Sequence, residues 1–310
     1  METRSPAAGG TDALRWILIG ALAPLSWGSV YFVTLHWLPA EEPLTAAMLR
    51  SLPAGLLLLV LRRRLPRGAW WWRSVVLGLL NCSAFFVLVY VAAKLLPTSI
   101  AAMLMSLSPI AMMLIAWGLV AERPTARRLL GAAMGLLGVV LLMAASVGAI
   151  DGWGVAASVT GMAMYAFGSV LGKRWSGEVD AVASSSWQLT AGGLVLLPFA
   201  LLLEGVPTGL PATAVLGYAY ISVVATAVAF VCWFSALRRL TAGQVGLLGL
   251  LNPVTGVLLG VALGSEALTG WQWLGIAVVL AGVAVGQTAA RRRRPTAPRP
   301  IDATAQSAAT

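Results

Sequence analysis

One histidine, two cysteines and eleven acidic residues are all that 310 residues offer of the side chains from which most catalytic and metal centres are built. His36 stands alone, at the edge of an apolar run, and is read as a solvated side chain. Cys82 and Cys232 sit far apart inside apolar runs, without the spacing of a zinc site or a disulfide framework. No Asp or Glu falls inside a long apolar run, so a membrane hydrolase or transferase lacks its acid–base groups. No glycine-rich phosphate loop or nucleotide-binding domain is present to drive a pump. Nor is there a filter loop or charged ring of the kind that selects ions in a channel. Catalytic residues, a metal and a cofactor are therefore not expected.

Charge is the other scarcity: only 10% of residues are charged, against 59% hydrophobic. Such a chain cannot bury its apolar side chains in one globule and keep a wettable surface, so lipid must serve as part of its solvent. Crossing about 30 Å of hydrocarbon takes roughly 20 helical residues. Ten segments reach that length: Trp16–Leu35, Leu44–Leu61, Ser74–Ala93, Thr98–Val120, Leu129–Val147, Trp153–Gly172, Ala181–Leu203, Ala212–Leu237, Ala242–Gly264 and Trp271–Ala290. The first is too long for a signal-peptide core and lacks a small-x-small cleavage site, so it is expected to remain as an anchor.

The net charge of +10 could indicate nucleic acid, but the cations occupy short loops and tails rather than a folded basic face. With the amino terminus in the cytoplasm, the tails and even-numbered loops hold 19 of the 21 Lys and Arg. Lys94 alone lies in an opposite loop, and Arg50 lies inside a segment. The positive-inside rule then places both termini in the cytoplasm. After Ala290 the chain is Arg-rich and then Pro-, Ala-, Thr- and Ser-rich, a composition that predicts a disordered tail over 291–310.

The stretch from Ser99 to Leu141 recurs, altered, from Gly243 to Val285, at a fixed offset of 144 positions. Pro109 meets Pro253, Glu122 meets Glu266, Thr125 meets Thr269, Gly131 meets Gly275, and Gly138 meets Gly282. Glutamate occurs only seven times in the chain, so its coincidence inside this frame is not a product of composition. Weaker echoes extend the repeat: Trp27-Gly28-Ser29-Val30 with Phe167-Gly168-Ser169-Val170, and Arg50, Gly55 and Leu56 with Gln188, Gly193 and Leu194. The fold class is therefore all-α integral membrane, ten transmembrane helices as two inverted five-helix repeats. The first repeat is assigned to 1–148 and the second to 149–290. Five is odd, so the second copy enters the membrane from the opposite face. Inverted copies can exchange their packings and open a shared centre to either side in turn, which is the logic of a transporter.

Several residues stand out against the apolar background. Arg50 is the one formal charge inside a segment, six residues in from Leu44 and so about 9 Å below the outer interface. It either faces an internal pathway as a binding group or snorkels outward toward Glu41 or Glu42. Pro24, with the small residues after it, marks either a pliable hinge or a packing kink in the first helix. Glu122 and Thr125, like Glu266 and Thr269, read as caps at a helix–helix turn; Thr269 with Gln272 forms a fuller capping box. The glycines of the fifth and tenth helices read as close helix contacts. Aromatic and neutral-polar residues on a plausible pathway are Trp27, Tyr31, Asn81, Tyr90, Ser108 with Pro109, Tyr165, Trp187, Gln188, Trp233, and Asn252 with Pro253. Aromatics at helical spacing also fill cores, so lining and packing both remain open for each.

The runs LPTSIAAMLMSLSPIAMMLIAWGLVAERPTARRLLGAAMGLLGVVLL and GLLNPVTGVLLGVALGSEALTGWQWLGIAVVLAGV, with SWGSVYF in the first helix, resemble EamA-type transporters of the drug/metabolite transporter superfamily. The resemblance covers Trp16 to Gln287. It implies ten helices in two inverted halves, a bacterial plasma-membrane location, helices 1, 3, 4, 6, 8 and 9 around a central pathway, and export of amino acids or similar small metabolites. Small multidrug relatives carry a glutamate in their first helix for exchanging cations with protons. Here Ser26 and Trp27 stand in that neighbourhood, which disfavours proton antiport of cations. The expected function is alternating-access transport of a small neutral or zwitterionic metabolite, with the lipid bilayer as environment, no nucleic-acid partner and a monomeric state. Efflux of amphipathic drugs or toxins is the alternative, and a receptor or scaffold role the third.

Overall fold

The structure is a computed structural model that describes residues 10–39, 42–143, 151–207, 209–264 and 268–288. Glu41, Glu266, the arginines 291–294 and the tail 291–310 lie outside the described residues. Among the described residues there is no strand, and ten helices are long and apolar enough to cross a membrane. They are α1 (Thr11–Trp37), α2 (Pro43–Arg62), α3 (Trp70–Leu95), α4 (Ile100–Val120), α5 (Ala126–Met143), α6 (Gly152–Trp175), α7 (Ala181–Leu203), α8 (Ala212–Arg239), α9 (Ala242–Leu263) and α10 (Gly270–Gln287). Several outrun the apolar segments. Tryptophans and arginines at the flanks keep the helix going while their polar ends reach the interface, so α3 begins at Trp70 and α8 continues to Arg239.

Four local irregularities come in two pairs. Proline has no N–H and its ring crowds the carbonyl four residues back. Ahead of Pro109 the α4 backbone accordingly tightens, with Ser106 and Leu107 bonding back three residues to Met103 and Leu104. Ahead of Pro253, Gly249 and Leu250 do the same to Gly246 and Leu247 in α9. The other pair consists of π-helical turns, Leu79–Ser83 in α3 and Val223–Val228 in α8, whose starts lie at the repeat offset. At Pro24, which the sequence marks as either a hinge or a packing kink, α1 runs on as unbroken helix. Its small residues serve contact: a Cβ on Gly28 would lie 2.5 Å from the Asn252 carbonyl oxygen of α9.

Two helix pairs cross with backbone against backbone. A Cβ on Gly131 would meet the Gly282 oxygen at 2.5 Å, and one on Gly138 would meet the Val279 nitrogen at 2.6 Å and the Gly275 oxygen at 2.7 Å. From α10, Gly275 and Gly282 return these contacts to Gly138 and Gly131 at 2.7 Å. Each repeat-related glycine thus packs on the mate of its neighbour, as in an isologous two-fold contact. One residue number rises along α5 as its partner falls along α10, so the helices are antiparallel. The α2–α7 crossing obeys the same rule, with Gly55 against Thr190 and Gly193 against Leu52. Without a hydrophobic drive between helices in lipid, such close approach is what holds these pairs.

A bulky residue at these crossings is predicted to separate the pairs. Gly138→Leu should lose folded monomer in fluorescence-detected size-exclusion chromatography. Gly118→Ala, whose Cβ would meet nothing within 4 Å, should leave the elution profile unchanged.

Candidate functional site

The two ends of the bundle are closed by different chemistry. At the arginine-rich end, Glu122 Oε1 pairs with Lys173 Nζ at 2.6 Å, while Glu122 Oε2 accepts the Ala242 N–H at 2.7 Å. Lys173 also donates to the Leu240 carbonyl. The end of α4, the end of α6 and the α8–α9 turn are thereby tied together. This corrects the reading of Glu122 as a local cap, because its partner helix begins 120 residues later. The carboxylate satisfies an N–H that α9 would otherwise leave open, in favourable register with the helix dipole. Thr125 and Thr269 keep the local role: Thr125 Oγ1 accepts from Arg128 N, and Thr269 forms a capping box with Gln272. Beside this clasp, Arg62 Nε and Nη2 donate to Asp180 Oδ2 at 3.0 and 2.9 Å, and Asp180 Oδ1 accepts the Ala183 N–H, joining the end of α2 to the start of α7. Trp187 packs on Trp70 there and donates Nε1 to the Arg64 carbonyl, which accounts for it as interface packing.

At the opposite end, Glu204 closes α7 and accepts the Leu44 and Thr45 N–H groups of α2 at 2.8 and 2.7 Å. Elsewhere this end is looser. In the arginine-rich half, α1, α4, α6, α8 and α9 pack on one another. In the other half, the second part of α3 and the first part of α4 lie on α6 and hardly touch α1 or the second part of α9. The bundle thus splits toward the end away from the arginines. Tyr31 is 53% exposed on the wall of this split, whereas Gln188, nearer the other end, is 0% exposed.

Arg50 sits half-buried in the split. Its Nε donates to Thr226 Oγ1 at 2.9 Å and its Nη2 to the Ala225 carbonyl at 3.4 Å, both on the π turn of α8. The guanidinium lies over the Phe86 ring, 4.6 Å from the centroid. Tyr31, Tyr90 and Cys82 are within electrostatic reach. The side chain therefore points inward, which removes the snorkelling reading with respect to Glu42. Among the described residues no carboxylate comes within ion-pair distance of it.

Deeper in, Trp27, Tyr165 and Trp233 meet with ring centroids 5.2 to 6.1 Å apart, and Phe85 stacks on Tyr165 at 5.4 Å. Trp27, Asn81, Tyr165, Phe230, Trp233 and Phe234 enclose a void too narrow for a water molecule. Helices α1, α3, α6 and α8 contribute this lining. Asn81 Nδ2 donates to Gln188 Oε1 at 2.9 Å, with both side chains buried. Ser108 and Pro109 are buried where α4 backs onto Gly246 of α9, and Asn252 and Pro253 lie at the matching bend against Gly28. These four form the bends of α4 and α9 rather than the wall of the void. The π turns, which carry Asn81 and Thr226, escaped sequence reasoning. Only the coincidence of two polar residues at the repeat offset, give or take one position, could have pointed to them.

A sequence model of the EamA-like transporter family matches this chain twice, over residues 14–144 and 152–286. Protein PecM of Dickeya dadantii is 35% identical over 267 residues, covering 86% of this chain and 90% of that protein. The uncharacterized inner membrane transporter YedA of Escherichia coli K12 is 30% identical over 274 residues, covering 86% and 89%. A probable amino-acid metabolite efflux pump of Salmonella typhimurium is 26% identical over 295 residues, covering 89% and 96%. A solved crystal structure superposes with a TM-score of 0.78 at 24% identity, over 89% of this chain and 99% of its own, and shares the fold.

The clasps make two predictions. Glu122→Gln and Lys173→Met should each lower the melting temperature in detergent, and the double variant should recover part of the loss, a coupling on the order of 0.5–3 kcal/mol. Burial raises the Asp180 carboxyl, but the Arg62 hydrogen bond, the Ala183 N–H and the Arg62 and Arg64 charges hold it below its ordinary value. Its contribution is therefore complete above the unfolded carboxylate value of about 3.9 and is lost as pH falls through the lowered one. Asp180→Asn should flatten the drop in melting temperature below about pH 4.

Proposed function

Because the chain belongs to the EamA-like transporter family, and is thus a multi-pass plasma-membrane transporter of small molecules rather than an enzyme, we propose that it exports a small neutral or zwitterionic metabolite such as an amino acid by alternating access. The observation that carries this reading is Arg50. It is a half-buried cation with no carboxylate at ion-pair distance among the described residues, fixed by Thr226 and Phe86 in the half of the bundle where the helices pack less closely. An intramembrane cation in this setting is a ready partner for a solute carboxylate, which would make the bidentate contact that a hydroxyl and a carbonyl cannot. The printed name of the Salmonella relative, an amino-acid metabolite efflux pump, agrees with this substrate class.

In this proposal the two repeats occupy 1–148 and 149–290 and both termini are cytoplasmic. The clasped, arginine-rich end then faces the cytoplasm, and the split is an outward vestibule. The pathway runs from Tyr31, Arg50 and Tyr90 past Trp27, Tyr165 and Trp233 to Asn81 and Gln188. Ser108, Pro109, Asn252 and Pro253 provide the bends about which α4 and α9 flex. Since one chain carries both halves, the monomer is a complete unit. Efflux of amphipathic drugs is the second reading, favoured by the acid-free aromatic lining.

Counterflow in proteoliposomes against amino acids, nucleosides and sugars tests the proposal. Arg50→Ala should weaken competition by carboxylate-bearing solutes by about tenfold or more, as expected for one charge-assisted contact, and Arg50→Lys should restore part of it. An unchanged competition profile in Arg50→Ala would remove Arg50 from the binding site.

A further inference from the structure

The Arg50–Thr226 bridge has a mate. Gln188 occupies the position of Arg50 in the second repeat, and the π turn that carries Asn81 matches the π turn that carries Thr226. Each bridge runs from α2 or α7 to the π turn of the other half: Arg50 to Thr226, and Gln188 to Asn81. The antiparallel pairing of Gly55 with Thr190 and Leu52 with Gly193 sets their levels. Arg50 stands level with residue 195 of α7, so Gln188 lies seven residues, about 10 Å, nearer the arginine-rich end.

The mate differs in charge and in what it leaves unsatisfied. Asn81 is 2% and Gln188 0% exposed, and after their shared hydrogen bond Asn81 Oδ1 and Gln188 Nε2 have no partner among the described residues. Exchanging the O and N ends of both amides still leaves one donor and one acceptor over. Asn81 lines the aromatic void, and Trp27, on the same lining, has an equally unpartnered Nε1. A Cβ on Gly168 would lie 2.3 Å from Asn81 Oδ1, so it is the glycine of α6 that lets this amide turn as it does. Two of these unpaired groups, on Asn81 and Trp27, belong to residues of one void, and Gln188 stands one hydrogen bond behind Asn81. Buried polar groups are as a rule paired, so such leftovers are a binding surface for something that brings the complementary set.

We infer that Asn81, Gln188 and Trp27 form a second solute station, the counterpart of Arg50, exposed when the bundle opens at the arginine-rich end. Two donors, Gln188 Nε2 and Trp27 Nε1, suit a carboxylate. One acceptor, Asn81 Oδ1, beside the faces of Trp27, Tyr165 and Trp233, suits an ammonium group. The station is thus matched to a zwitterion, whereas Arg50 alone holds any carboxylate. This deepens the transport reading above and rests on it. It assigns the choice between zwitterion and simple anion to the inner station.

Single cysteines at the two stations, with Cys82 and Cys232 replaced by Ala, test this in sealed vesicles of known orientation with a membrane-impermeant thiosulfonate. The probes are leucine and 4-methylpentanoate, which differ only in the ammonium group. Phe234→Cys, on the lining of the void but not among the three binding groups, should react from the arginine-rich face alone, and leucine but not 4-methylpentanoate should slow the reaction about tenfold, the effect of one charge-assisted contact. Thr226→Cys should react from the opposite face and be protected by both probes. If Phe234→Cys does not fold, Phe230→Cys, on the same lining, takes its place. Lack of reaction at the inner station from both faces, or equal protection there by both probes, overturns the station. Protection by leucine at Thr226→Cys but not at Phe234→Cys overturns the station and leaves the transport reading standing. Protection at neither position defeats both.

Discussion

Backbone meets backbone where α5 crosses α10 and where α2 crosses α7, and no side chain fits between them. In lipid, apolar side chains gain nothing by leaving the solvent for one another, so approach this close is what dispersion and weak backbone contacts need in order to hold two helices. Because each crossing is self-complementary under the repeat, it also fixes the sense of the two halves. One cannot be turned over without separating the glycines. The bends of α4 and α9 and the π turns of α3 and α8 are then placed about a common centre, at matching depths measured from opposite ends.

That arrangement divides the helices into two kinds. The glycine crossings are continuous seams. Helices α3, α4, α8 and α9 carry the irregularities: tightened turns before Pro109 and Pro253, and wide turns at Asn81 and Thr226. Irregular turns within helices recur at functional sites, because they free backbone groups and redirect side chains. The arginine-rich end is held by polar clasps, whose groups water could satisfy if the bundle opened there, as the proposed alternation requires. The far end, beside Arg50, is packed less closely. A knot of aromatic rings separates the two, closed here to a width below that of water.

Much of this architecture can be read from the sequence. Ten apolar stretches, the loop charges and a proline, glutamate and glycine frame repeated at a fixed offset define the spans and the duplication, because rare residues make coincidences informative. The destinations of polar side chains are another matter. Glu122 reads as a local cap, since a carboxylate beside a helix start invites that; its partner Ala242 is remote in sequence and reached only by folding. Arg50 has two plausible directions in sequence and one in space, chosen by Thr226 and Phe86. The π turns leave only a faint trace, Asn81 and Thr226 within one position of the repeat offset, for they depend on i to i+5 bonding rather than on a side chain. Trp187 and Trp27 look alike in sequence, yet one is anchored at an interface by the Arg64 carbonyl and the other faces the central void.

The proposed transport requires the two ends to open in alternation about fixed seams. Paired spin labels in liposomes measure this directly, one pair at Leu95 and Leu258 across the split and one at Arg123 and Arg239 at the clasped end, with and without a transported solute. Alternation predicts two populations at each end, the long distance at one accompanying the short distance at the other. Distances that widen together at both ends, or that stay fixed whenever solute is moving, would contradict it.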